Sequence, residues 1–250
     1  IKLKDSECPK FYKGHAYRYN AINELTSGNT EIALEFALKG QKYDSSQPIL
    51  HKVTSEIYFQ LKKYPLAVEY AKKAYDANKT AHTKEFEIML HFREIYLNGL
   101  MVSTFALDKA SFNFFYENYF NEYKEEVLNN SLIQLIKRLM NNEVIEDVSI
   151  GKMAEFIDSA NFLIVFKLIE KYAYKETAIT LLRAVKETVK NNFDYYKLLG
   201  NLYSEINNNL KSCEAFEKAL NFKITDPSIL FFLISIYINL NKLEKISEIL

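Results

Sequence analysis

The sequence predicts an all-α chain of helical hairpins stacked one on the next, a solenoid of about seven hairpins with an irregular middle. Three observations predict it. A pattern of large and small apolar residues recurs at one fixed period, the interval that separates Phe193 from Pro227. Large side chains fall three and four apart rather than alternating, which is the helical and not the strand period. Only 6 Gly and 4 Pro punctuate the 250 residues, so long helices meet few breakers.

The pattern is clearest in FDYYKLLGNLYSEINNNLKSCEAFEKALNFKITD, residues 193–226. Tyr196, Leu199 and Tyr203 share one face of a first helix, and Ser212, Phe216 and Ala219 share one face of a second. The polar run Asn207-Asn208-Asn209 breaks the chain between them. Gly200 and Ser212 are small where the two helices must approach closely. A single hairpin cannot bury its apolar face, so neighbours must stack on it.

Neighbours exist in register. One period forward, a unit opens at Pro227, with Leu230, Leu233 and Tyr237 in the large positions. One period back, another opens at Ser159, with Phe162, Val165 and Phe166 on the first helix and Ala178, Leu182 and Val185 on the second. Near the start, Pro48 opens a unit carrying Tyr58, Tyr64, Ala67, Ala71 and Ala74. The unit before it starts at Gly14, with Tyr17, Ala21, Ala33 and Ala37, although Glu24 and Gly40 depart from the template. Helices are expected near 15–26, 29–41, 48–61 and 64–77, with Pro48 at a first turn.

A large residue, Leu-Gly, Tyr, a small residue, Phe and Ala in a 34-residue helix–turn–helix resembles the tetratricopeptide repeat. The resemblance covers 14–80 (two units) and 159–250 (three units, the last truncated), with residues 1–13 as a lead-in. It implies a right-handed α-α superhelix whose first helices line a concave groove for an extended peptide or a partner's helix. Carried over position by position, it points to Arg18, Lys52, Glu56, Phe59, Lys167, Lys197, Asn201 and Phe231 as groove residues. In the chaperone-adaptor branch a Lys and an Asn grip a terminal carboxylate, and Lys197 and Asn201 stand at the matching places. Phe232 stands where the next unit would offer Asn, so that clamp is incomplete.

Residues 81–158 keep helical character and lose the register, because the interval from His82 to Asp158 is longer than two units. EFEIMLHFREIYLNGL reads as a first helix, SFNFFYENYFNEYKEEV and SLIQLIKRLM as further helices, and NNEVIEDVSIGK as a loop. The aromatic run of Phe112, Phe115, Tyr116, Tyr119, Phe120 and Tyr123 has two readings. It fills uneven gaps between irregular helices, or it forms a binding or dimer face, where aromatics are enriched.

Charge excludes some functions. With 32 basic and 32 acidic residues the formal net charge is zero, so nothing marks a nucleic-acid footprint. No apolar run reaches the ~20 residues of a membrane span, and the longest, ILFFLISIYINL, is explained as one buried helix. Cys8 and Cys213, far apart and in no paired motif, read as reduced thiols, which favours a cytoplasmic setting. Ile1 in place of Met, and a last repeat that stops at Leu250, make the chain read as a piece of a longer protein.

Catalytic signals are lacking: there is no HExxH, GxSxG or glycine-rich phosphate loop, and no cofactor is expected. Glu87, His91 and Glu94 share a helical face at a spacing that can hold a metal, but one histidine with two carboxylates reads first as a solvated face. The expected function is a scaffold that binds a protein or peptide in its groove. Two alternatives are an appendage that positions protein substrates for a larger bacterial enzyme, such as a glycosyltransferase, and a peptide-sensing regulator. The truncated last unit would expose an apolar end, which a further repeat, a cap or a second copy in a homo-oligomer would cover.

Overall fold

The computed structural model describes residues 10–80, 92–143, 162–189, 192–222 and 226–249, and the regular structure among them is helical. Their contacts divide the chain between Leu128 and Asn129 into two compact units. The first holds α1 (Lys10–Thr26), α2 (Thr30–Tyr43), α3 (Pro48–Gln60), α4 (Tyr64–Thr80), α5 (Phe92–Phe105), α6 (Lys109–Glu122) and most of α7 (Lys124–Asn129). The second holds α8 (Ser131–Met140), α9 (Phe162–Tyr172), α10 (Lys175–Ala184), α11 (Lys186–Val189), α12 (Phe193–Glu205), α13 (Asn209–Leu220), α14 (Pro227–Asn239) and α15 (Leu243–Ile249).

One kind of turn ends first helices in both units. Gly28, Lys62, Leu107, Asn142, Asn207 and Asn241 all have positive φ, between 53° and 82°. At each, that residue's N–H donates to the carbonyl three residues back, and the next N–H donates to the carbonyl five residues back. This pair of hydrogen bonds closes the last turn of the helix and satisfies carbonyls that have no partner within it. Gly28 and Lys62, like Asn207 and Asn241, lie one period apart, so the turn keeps the repeat of the sequence.

The same repeat shows in close approach. Ser55 Oγ donates to the carbonyl of Ala67 at 2.7 Å, and Ser212 Oγ donates to the carbonyl of Gly200 at 2.9 Å. In both hairpins a small residue on the first helix thus meets one on the second twelve positions on. Ala21, Ala33, Ala37, Ala67, Ala71, Ala74 and Ala219 are likewise fully buried. Burying Leu50, Ile57, Leu182 and Phe216 beside them removes about 1.5–3 kcal/mol worth of apolar surface per side chain from water.

α1 begins at Lys10, earlier than the expected 15, and runs through Gly14. Gly14 is needed there for a physical reason: a Cβ on it would stand 2.8 Å from the Gln47 amide and 2.9 Å from Asp44.

The middle of the chain contains a hairpin of the same kind. α5 and α6 repeat the spacing of α12 and α13, with Gly99, Ser111 and Phe115 offset from one another as Gly200, Ser212 and Phe216 are. The expected helix over 111–127 is interrupted at Tyr123, where α6 stops and α7 starts. Phe112, Phe115, Tyr116 and Tyr119 are buried; Tyr119 packs on Tyr96 and Phe115 on Phe114, and Tyr75 in turn contacts both Tyr96 and Phe114. These four aromatics are therefore core of the first unit. Cys8, Glu87, His91 and the expected loop after Glu143 lie outside the described residues.

Candidate functional site

In the first unit the residues expected at groove positions are held by neighbours within the unit. Arg18 is 7% exposed, and its guanidinium lies 5.0 Å over the Tyr19 ring. Lys52 pairs with Glu56 at 2.9 Å and with Glu94 at 3.0 Å. Burial alone would lower the Lys52 pKa, yet the two carboxylates hold it above the usual lysine value. Phe59 packs edge-on against Phe105, with ring centroids 4.9 Å apart, and beside Tyr64. None of the four is free for a ligand without first losing an internal partner.

The second unit differs. Lys167 on α9 and Lys197 and Asn201 on α12 line one cleft of about 280 Å³. Leu163, Phe166 and Glu170 complete the α9 wall, and Asp194 and Leu198 the α12 wall. The lining residues of each helix recur at three- and four-residue steps, so each helix offers one continuous stripe. Phe166 occupies the place that Gly200 fills one repeat later, and its ring is what gives this cleft an aromatic wall.

Charge in the cleft balances, with Lys167 and Lys197 facing Glu170 and Asp194. Lys197 is anchored: it donates to Asp226 at 3.0 Å. Asp226 is held well below the usual carboxylate range, first by the Ser228 hydroxyl, then by Lys197 and the Ile229 amide, which outweigh its desolvation. It also caps α14. Lys167 and Asn201, by contrast, make no ion pair or hydrogen bond among the described residues. Phe231 stands apart on α14, 70% exposed, beside Phe232.

Sequence reasoning reached Lys167, Lys197 and Asn201 but missed Asp226 as the partner of Lys197. The signal was present: Asp226-Pro227 is an N-cap followed by a proline at the first helical position. Among the described residues no cluster of three metal-ligating side chains forms, and no helix is long and apolar enough to cross a membrane.

The periodic recurrence of the turn, the small residues where helices cross and the paired helices now stand together. The repeat is tetratricopeptide-like. No family model matches the chain, and no curated protein does. Among solved structures it is similar to YrrB, a TPR protein with an unusual peptide-binding site, at 14% identity and a TM-score of 0.43, over 85% of this chain and 87% of that one. It is also similar to Acl4, an assembly chaperone of RpL4, at 12% identity and a TM-score of 0.45, over 94% and 87%. A Naa15/Naa10 complex bound to HypK-THB matches at 16% identity and a TM-score of 0.39, over 92% of this chain and 35% of that one.

Proposed function

We propose that the chain is a binding scaffold that takes an extended peptide segment of a partner protein in the α9–α12 cleft. The observation that carries this is Asn201. Its carboxamide, a donor and an acceptor on one short side chain, lines a cleft and has no partner among the described residues. That is the pairing a peptide backbone unit offers, one N–H and one C=O.

The remaining lining fits the same ligand. Leu163, Phe166 and Leu198 supply apolar wall for a side chain, and Leu163 is 48% exposed as it stands. Lys167 is free to meet a carboxylate of the segment. Lys197 acts through position, since its bond to Asp226 ties α12 to the start of α14.

A peptide-display selection against the immobilised chain tests this, followed by affinity measurements on the selected sequences with N- and C-termini blocked. The Asn201→Ala/Lys167→Ala variant should weaken binding about ten-fold or more, the loss of one or two hydrogen bonds of which one is charged. Leu163→Asp should abolish it. Selected peptides that bind both variants as tightly as the wild type would exclude the cleft.

A further inference from the structure

The opposite face of α12 lines a second, smaller pocket of about 210 Å³, walled also by α10, α11 and α13. Four cations reach it: Arg183, Lys186, Lys211 and Lys218. Glu214 is the single carboxylate in the lining. None of the four cations has an ion pair among the described residues. Lys211 lies 5.6 Å over the Tyr203 ring and Lys218 5.9 Å over the Tyr196 ring, so two of them rest on aromatic faces of the pocket.

Those aromatics carry the second observation. Tyr195, Tyr196 and Tyr203 line the pocket and are 1%, 9% and 7% exposed. Their hydroxyls donate to no acceptor among the described residues. Burial pushes the Tyr195 hydroxyl up to about 12, so it keeps its proton and remains a donor. The three phenols line a pocket that water also reaches, so each is a donor available to an acceptor there, and the pocket's surplus of positive charge selects an anion.

We infer that this pocket binds a phosphoryl group, free as phosphate or carried as a monoester. Subtracting Glu214 from the four cations leaves a local excess of three positive charges. A carboxylate would neutralise only one of them. A phosphate monoester carries about −1.5 to −2 at neutral pH and three strong acceptor oxygens, which matches both the charge and the three phenols. The volume is below the roughly 300 Å³ at which drug-sized ligands begin, so a phosphoryl group with its first attached atoms fits and a nucleotide does not.

Amide and tyrosine chemical shifts read by NMR during titration with inorganic phosphate test this, with sodium acetate and sodium chloride at matched ionic strength alongside. Phosphate should give saturable shifts confined to α10–α13, at an affinity at least ten-fold above acetate. Lys211→Gln/Lys218→Gln should weaken phosphate about ten-fold or more and leave peptide binding in the α9–α12 cleft unchanged. Both lysines are exposed, and circular dichroism checks the fold; Arg183→Glu, also at an exposed position, gives an independent charge reversal. A phosphoserine peptide that binds tighter than inorganic phosphate would identify a modified side chain as the source, and equal affinity would identify free phosphate. Shifts that rise linearly and alike for phosphate, acetate and chloride would overturn the site, as would undiminished binding by the charge variants.

Discussion

A Cβ on Gly200 would stand 2.6 Å from the ring of Phe216, so the absence of a side chain at 200 is what lets α12 and α13 pack. Gly99 and Phe115 have the same relationship between α5 and α6. The two hairpins lie in different units and use one solution to the same crossing.

Gly200→Ala and Gly99→Ala should therefore destabilise the protein. Alanine gains up to about 1 kcal/mol of helix propensity. The clash is with the ring carbons nearest the backbone and with a fully buried phenylalanine, an overpacking cost of about 1–3 kcal/mol. Urea denaturation should show a net loss of about 1–2 kcal/mol at each site. Unchanged midpoints would mean that the helices move apart without cost.

Lys62 forms the same turn as Gly28 but has a side chain at φ 58°. Left-handed backbone costs a residue with a Cβ about 1–2 kcal/mol, partly offset by the entropy of a glycine in the unfolded chain. Lys62 is exposed and bonded through its backbone, so Lys62→Gly should raise stability by about 0.5 kcal/mol. A lower thermal midpoint would contradict this.

Lys52 bridges Glu56 on its own helix and Glu94 on α5. Lys52→Ala should cost about 1 kcal/mol, because charged hydrogen bonds are lost but the partners remain partly solvated. In a double-mutant cycle with Glu94→Ala, the coupling should exceed about 0.5 kcal/mol at low salt and shrink in about 1 M salt. A cycle that closes at zero would reduce the bridge to a surface contact.

His51 should make stability fall on mild acidification. Its Nε2–H donates to the Ser45 carbonyl at 2.8 Å, and its Nδ1 is buried without a partner. Burial, with the charge of Lys73, outweighs the Ser45 bond and Asp44, and holds the pKa below 6.5. The unfolded chain then takes up the proton first. The contribution is complete above about pH 7 and is lost as pH falls through 6.5 towards the lower folded value. Denaturation midpoints at about pH 7.5 and 5.5 should differ more in the wild type than in His51→Gln. Equal differences would remove His51 from this role.

Cys213 should be slow to react. It is 6% exposed, and burial pushes its thiol up to about 11, so little thiolate exists at neutral pH. In a Cys8→Ser background, a disulfide reagent at mildly alkaline pH should label Cys213 only as urea unfolds the chain. Stoichiometric labelling of the native protein would show that its helix opens readily.

Much of the fold is legible in sequence because it is local. Three- and four-residue spacing chooses the buried stripe of each helix, as with Tyr196 and Tyr203. Asparagine runs accept the left-handed turn, as Asn207 and Asn241 do. The hairpin of α5 and α6 was less visible: its Gly99, Ser111 and Phe115 keep the right offsets, but an insertion separates them from the earlier units and dense aromatics mask the small positions. The cleft was visible only as a set of helix positions.

The sequence by itself determined the period, the hairpin and the direction in which each side chain leaves its helix. Arg18, Lys52, Lys197 and Phe231 hold the same place in four repeats, and up to that point they are equivalent. Only the tertiary structure decided their fates. Arg18 is buried over Tyr19, Lys52 is claimed by Glu94 from another hairpin, Lys197 is anchored by Asp226, and Phe231 stands 70% exposed. The reason is physical: helical periodicity is set by neighbours three and four residues away, whereas solvation and charge at the tip of a side chain are set by whichever helix packs against it.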